Sequence, residues 1–300
     1  MNLNLNFIKA VFLAAFFLSP ISSAYAQSKP VSKPVSKSET YKDIIEKAYN
    51  LSLQKDRQQA LNILMTALQK ETRPQAVAEL RKALVDVAHV FISDKAQQAY
   101  EAGLSLRKTD VVQALAKLND AARMEPDNIA ILTELSRALI AKGDCSGAQD
   151  NLVKQIKLFP YDEELKLGSA QALVCQASWL DYAKLYDSTD VKKSAFQKFW
   201  LILEVERYFK TKMTLKAQEN LAVLKKLDPK YPEVSYWSWK IAQAAALPGK
   251  KVGFEDAQKY VMACKNISAN QYRQYMIDPM LCRHLPEVEA DLKGSNGTAE

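Results

Sequence analysis

The sequence predicts an all-α chain folded as a solenoid of antiparallel helical hairpins, on three observations. Strand signals are nearly absent from Tyr41 to about Ser268, while Ala, Leu, Lys, Gln and Glu recur at helical spacing. Only 8 Gly and 11 Pro occur in 300 residues, and most of the prolines stand between apolar-periodic segments, where they end helices. The third observation is a period. Pro126 and Pro160 are 34 residues apart and Pro229 follows 69 later; twelve residues before each stands an alanine (Ala114, Ala148, Ala217), and eight before each a leucine (Leu118, Leu152, Leu221). A small residue lets two helix axes approach, a large apolar one fills the adjacent gap, and proline ends the second helix.

Taken in order, residues 1–26 have the layout of a secretory signal: Lys9, the apolar core Ala10–Leu18, then Ala24-Tyr25-Ala26 as a small-x-small cleavage site. That core is too short to span a bilayer comfortably, so the expectation is an exported chain beginning at Gln27, periplasmic or secreted, without stable membrane insertion. Residues 27–40, with SKPV in tandem, have little to bury and read as a flexible basic linker. The solenoid is expected over 41–267, as about six hairpins. Its best units are Asn128–Asp162, with Leu132, Leu135 and Leu139 on the first helix and Gly143-Asp144 at the turn, and Lys95–Asp127. Units at about 41–73 and 196–230 are recognisable, those at 162–195 and 232–267 are degenerate, and an extra helix at 74–93 breaks the phase. Residues 268–293 read as a C-terminal helical cap and 294–300 as a disordered tail.

A unit of 34 residues with this alternation of alanine, leucine and proline resembles the tetratricopeptide repeat, over roughly three quarters of the chain. The resemblance implies a right-handed superhelix of hairpins whose first helices form a concave groove, and a role in holding a protein or peptide there. By the phase of the repeat, the groove positions include Tyr100, Thr133, Arg137, Gln171, Glu206, Tyr236, Trp237 and Lys240. Their mixture of aromatic and polar groups suits peptide contacts. The partner expected is therefore a protein or peptide of the cell envelope. The competing expectation is a module for a glycan such as peptidoglycan, with Tyr100, Tyr236 and Trp237 as stacking platforms. No feature of the sequence sets an oligomeric state.

Catalysis finds little to work with. The two histidines, His89 in an apolar run and His284 two residues from Cys282, do not suggest a nucleophile pair, and no phosphate-binding loop, hydrolase elbow or zincin motif occurs. The expectation is a non-enzyme with no cofactor and no metal. Cys264, Cys282 and His284 lack a fourth ligand and the usual close cysteine spacing for zinc. The net charge of +7 is modest and interspersed, without the clustered cations that nucleic acid requires. Four cysteines in an exported chain favour disulfides. The repeat brings Cys145, at the start of one helix, beside Cys175, at the end of the next, each 15 residues from Pro160; Cys264 and Cys282 then pair to pin the cap.

Overall fold

The structure is a computed structural model that describes residues 39–247 and 252–296. The expected signal peptide, the expected linker up to Ser38, part of the loop in the last hairpin and residues 297–300 of the expected tail lie outside the described residues.

Among the described residues are fifteen α-helices and no strand. They pair as hairpins: α1 (Tyr41–Leu53) with α2 (Arg57–Lys70), α4 (Asp94–Leu106) with α5 (Val111–Met124), and α6 (Ile129–Lys142) with α7 (Cys145–Leu158). The series continues with α8 (Glu163–Cys175) and the short α9 (Trp179–Asp187), α10 (Gln197–Lys210) and α11 (Thr214–Leu227), then α12 (Pro232–Ala245) and α13 (Phe254–Lys265). The helix α3 (Pro74–Ala88) is single and packs on both α1 and α2. First helices stack in sequence, α6 on α8, α8 on α10 and α10 on α12, which gives the tetratricopeptide-like arrangement. After α13 come α14 (Ala269–Tyr275), an irregular stretch over 276–284, and α15 (Leu285–Asn296), which packs back on α13.

Local chemistry sets the helix ends. Thr40 and Asp43 form a reciprocal capping box at α1, and Asp56, Ser93, Asp110, Asn128, Asp144 and Asp162 each accept an amide from the first turn of the helix that follows. Pro74 and Pro232 sit in the first turn of α3 and α12, where a missing N–H costs nothing. Inside the hairpins, Ala60, Ala114, Ala148 and Ala217 are fully buried, as are Leu64, Leu118 and Leu152. The closeness that alanine permits reaches its limit at Gly103, where a Cβ would lie 2.7 Å from Leu118 Cγ.

One turn recurs in four hairpins. Gly143, at φ 92°, ends α6 in the left-handed region while the Asp144 amide donates to Leu139 O at 2.8 Å. Lys55 (φ 65°), Ala177 (φ 56°) and Lys212 (φ 63°) occupy the same place, with the next amide reaching back to Leu51, Leu173 and Tyr208 respectively. A side chain in this conformation costs about 1 kcal/mol or more. Glycine at Lys55, Ala177 or Lys212 should therefore stabilise the chain by about 0.5–1 kcal/mol per site, read as a higher urea midpoint. No gain at any of the three would mean that side-chain contacts offset the strain.

The four cysteines stand in two pairs at disulfide distance, Cys145 with Cys175 and Cys264 with Cys282, with Cα atoms 5.7 Å apart in each. The first pair joins the start of α7 to the end of α8, and the second joins the end of α13 to the stretch before α15.

Candidate functional site

The first helices from α6 to α12 carry an unusual burden for a surface: α6 buries ten of its 14 residues, including Thr133, Glu134, Ser136 and Arg137. Ser169 and Gln171 on α8, Glu204 and Glu206 on α10 and Glu233 on α12 are buried as well. An isolated solenoid would leave the inner stripe of these helices wet. Here the stripe on α8, α10 and α12 is covered, because residues 277–287 fold back across it.

The contacts are specific. Gln171 Nε2 donates to the Ile277 carbonyl at 2.9 Å, and the Tyr231 hydroxyl donates to the Asp278 carboxylate, whose other oxygen accepts the Met280 amide at 2.8 Å. The Cys282 amide donates to Glu233 Oε1 at 2.7 Å. Arg283 pairs with Glu206 at 2.5 Å, and the His284 ring lies flat on Tyr236 with centroids 3.9 Å apart. Glu287 receives both the Lys240 ammonium and the Tyr236 hydroxyl. Further back, the Lys108 ammonium donates to the Ile267 carbonyl at 3.4 Å and lies over the Tyr272 ring. A cavity of about 320 Å³ remains between the α4–α5 turn and this segment, bounded by Arg107, Lys108, Tyr272, Pro279 and the Cys264–Cys282 pair.

The sequence-predicted groove residues fall into two groups. Gln171, Glu206, Tyr236 and Lys240 bind the returning segment directly, with Trp237 edge-on to His284. Arg137 belongs to a neighbouring row of charges that runs Glu164–Arg137–Glu134–Arg107 and ends at the cavity, Tyr100 lies in its field, and Thr133 is buried on α6 one residue before Glu134. Tyr100 is half-buried within the negative field of Glu134 and Glu164, and burial first, then that field, pushes its hydroxyl pKa up. Burial opposes the Arg137 charge, yet Glu134 and Glu164 outweigh it and hold the guanidinium above its ordinary value. Thr133 Oγ1, Arg137 Nε and Nη2 and Gln171 Oε1 are buried without a hydrogen-bond partner. Such groups are costly to leave unmade.

Tyr231, Glu233, Asp278, Arg283, His284 and Glu287 take part although the sequence does not single them out as groove groups. The available signal was the density of charge in Asp278-Pro-Met-Leu-Cys-Arg-His-Leu-Pro-Glu287, which exceeds what a plain apolar cap needs. His89, which stands in an apolar run of the sequence, holds Asp162, the N-cap of α8, at 2.7 Å.

Burial, then repulsion from Asp278, raises the Glu233 pKa to about 8, and burial raises that of Asp278. His284 moves the other way, to about 4, through burial and then the Arg283 charge. A carboxyl raised in the fold contributes stability that is complete below its ordinary pKa and gone above its folded one. For Glu233 that loss spans about 4.5 to 8, and the His284 contribution, which falls as pH drops from 6.5 towards 4, opposes it in the lower part. Stability should thus decline from about pH 6.5 to 8, and Glu233→Gln should flatten the decline. Urea midpoints across that range that fall equally in both proteins would remove Glu233 as the cause.

Among the described residues no helix is long and apolar enough to cross a membrane, and no group of three or more His, Cys, Asp or Glu side chains could hold a metal. No protein-family model matches the chain, and no curated protein matches it. Among solved structures, the chain is similar to a tetratricopeptide repeat protein from Parabacteroides merdae at 15% sequence identity and a TM-score of 0.40, covering 87% of this chain and 93% of that one.

Proposed function

We propose that the chain is an exported, non-catalytic scaffold that binds a protein or peptide of the cell envelope along the face built by its first helices. The observation that carries the reading is that this face already holds a stretch of polypeptide. Gln171 takes a backbone carbonyl, Glu206 a guanidinium, Tyr236 an imidazole ring and Lys240 a carboxylate. These are the groups any peptide offers, and hydrogen bonds to backbone with pockets for alternate side chains are the usual means of peptide recognition. Two cysteine pairs at disulfide distance support an oxidising compartment, in keeping with the signal-like layout of residues 1–26.

The glycan reading needs exposed rings. With residues 276–288 in place Tyr236 and Trp237 are each 2% exposed, and the ring seated on Tyr236 is His284 of the chain itself, which favours a peptide over a sugar there. A photo-crosslinker at position 240, introduced in the native cell, should capture a defined envelope protein, and Glu206→Arg should abolish the capture. An intracellular chain that still begins at Met1, or capture indifferent to Glu206, would overturn the reading.

A further inference from the structure

We propose that residues 276–288 are a resident competitor for the inner face, locked there by a Cys264–Cys282 disulfide, and that the face recognises a segment of the same chemistry from another protein once that lock opens. The partner segment is one with Asp-Pro, an arginine five residues after the aspartate, and a glutamate four residues after the arginine. This rests on the peptide-binding reading above and specifies its ligand.

Three observations support it independently. The segment 276–284 is a chain of turns rather than a helix or strand, and although several of its amides close those turns locally, Ile277 O and Cys282 N are left for the side chains of Gln171 and Glu233 to read. Its charged groups meet opposite or complementary ones one by one: Asp278 with Tyr231 in the turn before α12, Arg283 with Glu206 on α10 and Glu287 with Lys240 on α12. A hydrophobic cap would have no use for this register. Finally, the fit is imperfect. Cys282 adopts φ 59°, a left-handed conformation that costs a side-chain-bearing residue, and Gln171 Oε1 is left without a partner beside the Ile277 carbonyl. A segment seated with such costs is held in part by its tether, and closing a loop of 18 residues supplies one.

Opening follows ordinary exchange. A thiolate of a dithiol donor attacks one sulfur, a mixed disulfide forms as the other cysteine leaves as a thiolate, and the donor's second thiol closes its own disulfide. Two electrons pass from the donor to the pair, and Cys264 and Cys282 end as thiols. Both cysteines are partly exposed and border the cavity beside the α4–α5 turn, so the approach is not blocked by packed core.

The test uses the full chain. In Cys264→Ser/Cys282→Ser, amide exchange over 276–288 should quicken roughly a hundredfold relative to the oxidised wild type, from loss of the loop-closure advantage. A fluorescein-labelled peptide of residues 275–290 carrying Cys282→Ser should bind this variant at least tenfold more tightly than the oxidised wild type. The same peptide carrying Arg283→Glu should bind only when the protein also carries Glu206→Arg. If the variant does not fold, wild type opened with dithiothreitol replaces it, with Cys145→Ser/Cys175→Ser, left oxidised, as the closed control. Exchange that stays slow after the lock is removed overturns the proposal while leaving crosslinking at position 240 free to support a scaffold elsewhere on the face. Release without any peptide binding overturns the peptide-recognition reading itself.

Discussion

Arg57→Ala should lower the unfolding free energy by about 3–5 kcal/mol, measured by urea denaturation at neutral pH. Arg57 is the first residue of α2 and is 1% exposed. Its guanidinium donates to the Val90 carbonyl and to Glu125, both at 2.6 Å, and to Asp127. Glu125 in turn accepts the Ile92 and Ser93 amides at 2.9 and 2.7 Å and the Asn128 side chain at 3.0 Å. Burial alone would raise the Glu125 pKa, but these donors together with Arg57 bring it below the ordinary value. The cluster thus ties the start of α2, the α3–α4 connection and the α5–α6 turn into one knot. Removing the cation strands a buried carboxylate, which is the expensive half of any buried pair. Arg57→Met with Glu125→Gln should recover a good part of the loss, because no fully buried charge is then left unpaired; Asp127 also loses Arg57, but it is half-exposed and water can solvate it. A double variant no better than Arg57→Ala would assign the cost to packing of the arginine stem instead.

Cys145→Ser/Cys175→Ser should cost roughly 3–4 kcal/mol, the loop-closure estimate for a span of 30 residues. The pair sits at one end of the α7–α8 hairpin, where Gln176 Nε2 also donates to the Cys145 carbonyl at 3.0 Å. That hydrogen bond uses the main-chain carbonyl and survives the substitution, so the two helix ends should stay together and the cost should come from the freer unfolded chain. A non-reducing peptide map should show Cys145 linked to Cys175 and no free thiol. Cys145 found free, or joined to Cys264 or Cys282, would defeat both the pairing and the stability estimate.

What the sequence reveals and what it hides divide along the distance between partners. Ala114 and Leu118, or Ala148 and Leu152, recur because every hairpin solves the same packing problem within one unit, and repetition makes them visible. Gly143 marks its turn by residue type, whereas Lys55, Ala177 and Lys212 make the same turn with side chains that suggest nothing of the kind. Cys145 and Cys175 were readable because one repeat separates them. Arg57 and Glu125 are 68 residues apart and Gln171 and Ile277 106 apart, and no period connects such pairs. Glu206, Tyr236 and Lys240 look the same in sequence whether water or residues 283–287 lie against them, so the repeat could put them on first helices but could not show what lies over them.

The returning segment also imposes an order on folding. Hairpins need only contacts within or between adjacent units, which form quickly. The inner face cannot be completed until residues 276–288 exist, and it must then be found across spans of 47 to 106 residues, the slow kind of search. Between those two moments the chain displays α8, α10 and α12 with Gln171, Glu206, Tyr236 and Lys240 uncovered. A chain still being made is therefore the form in which that face is first uncovered, before residues 276–288 arrive.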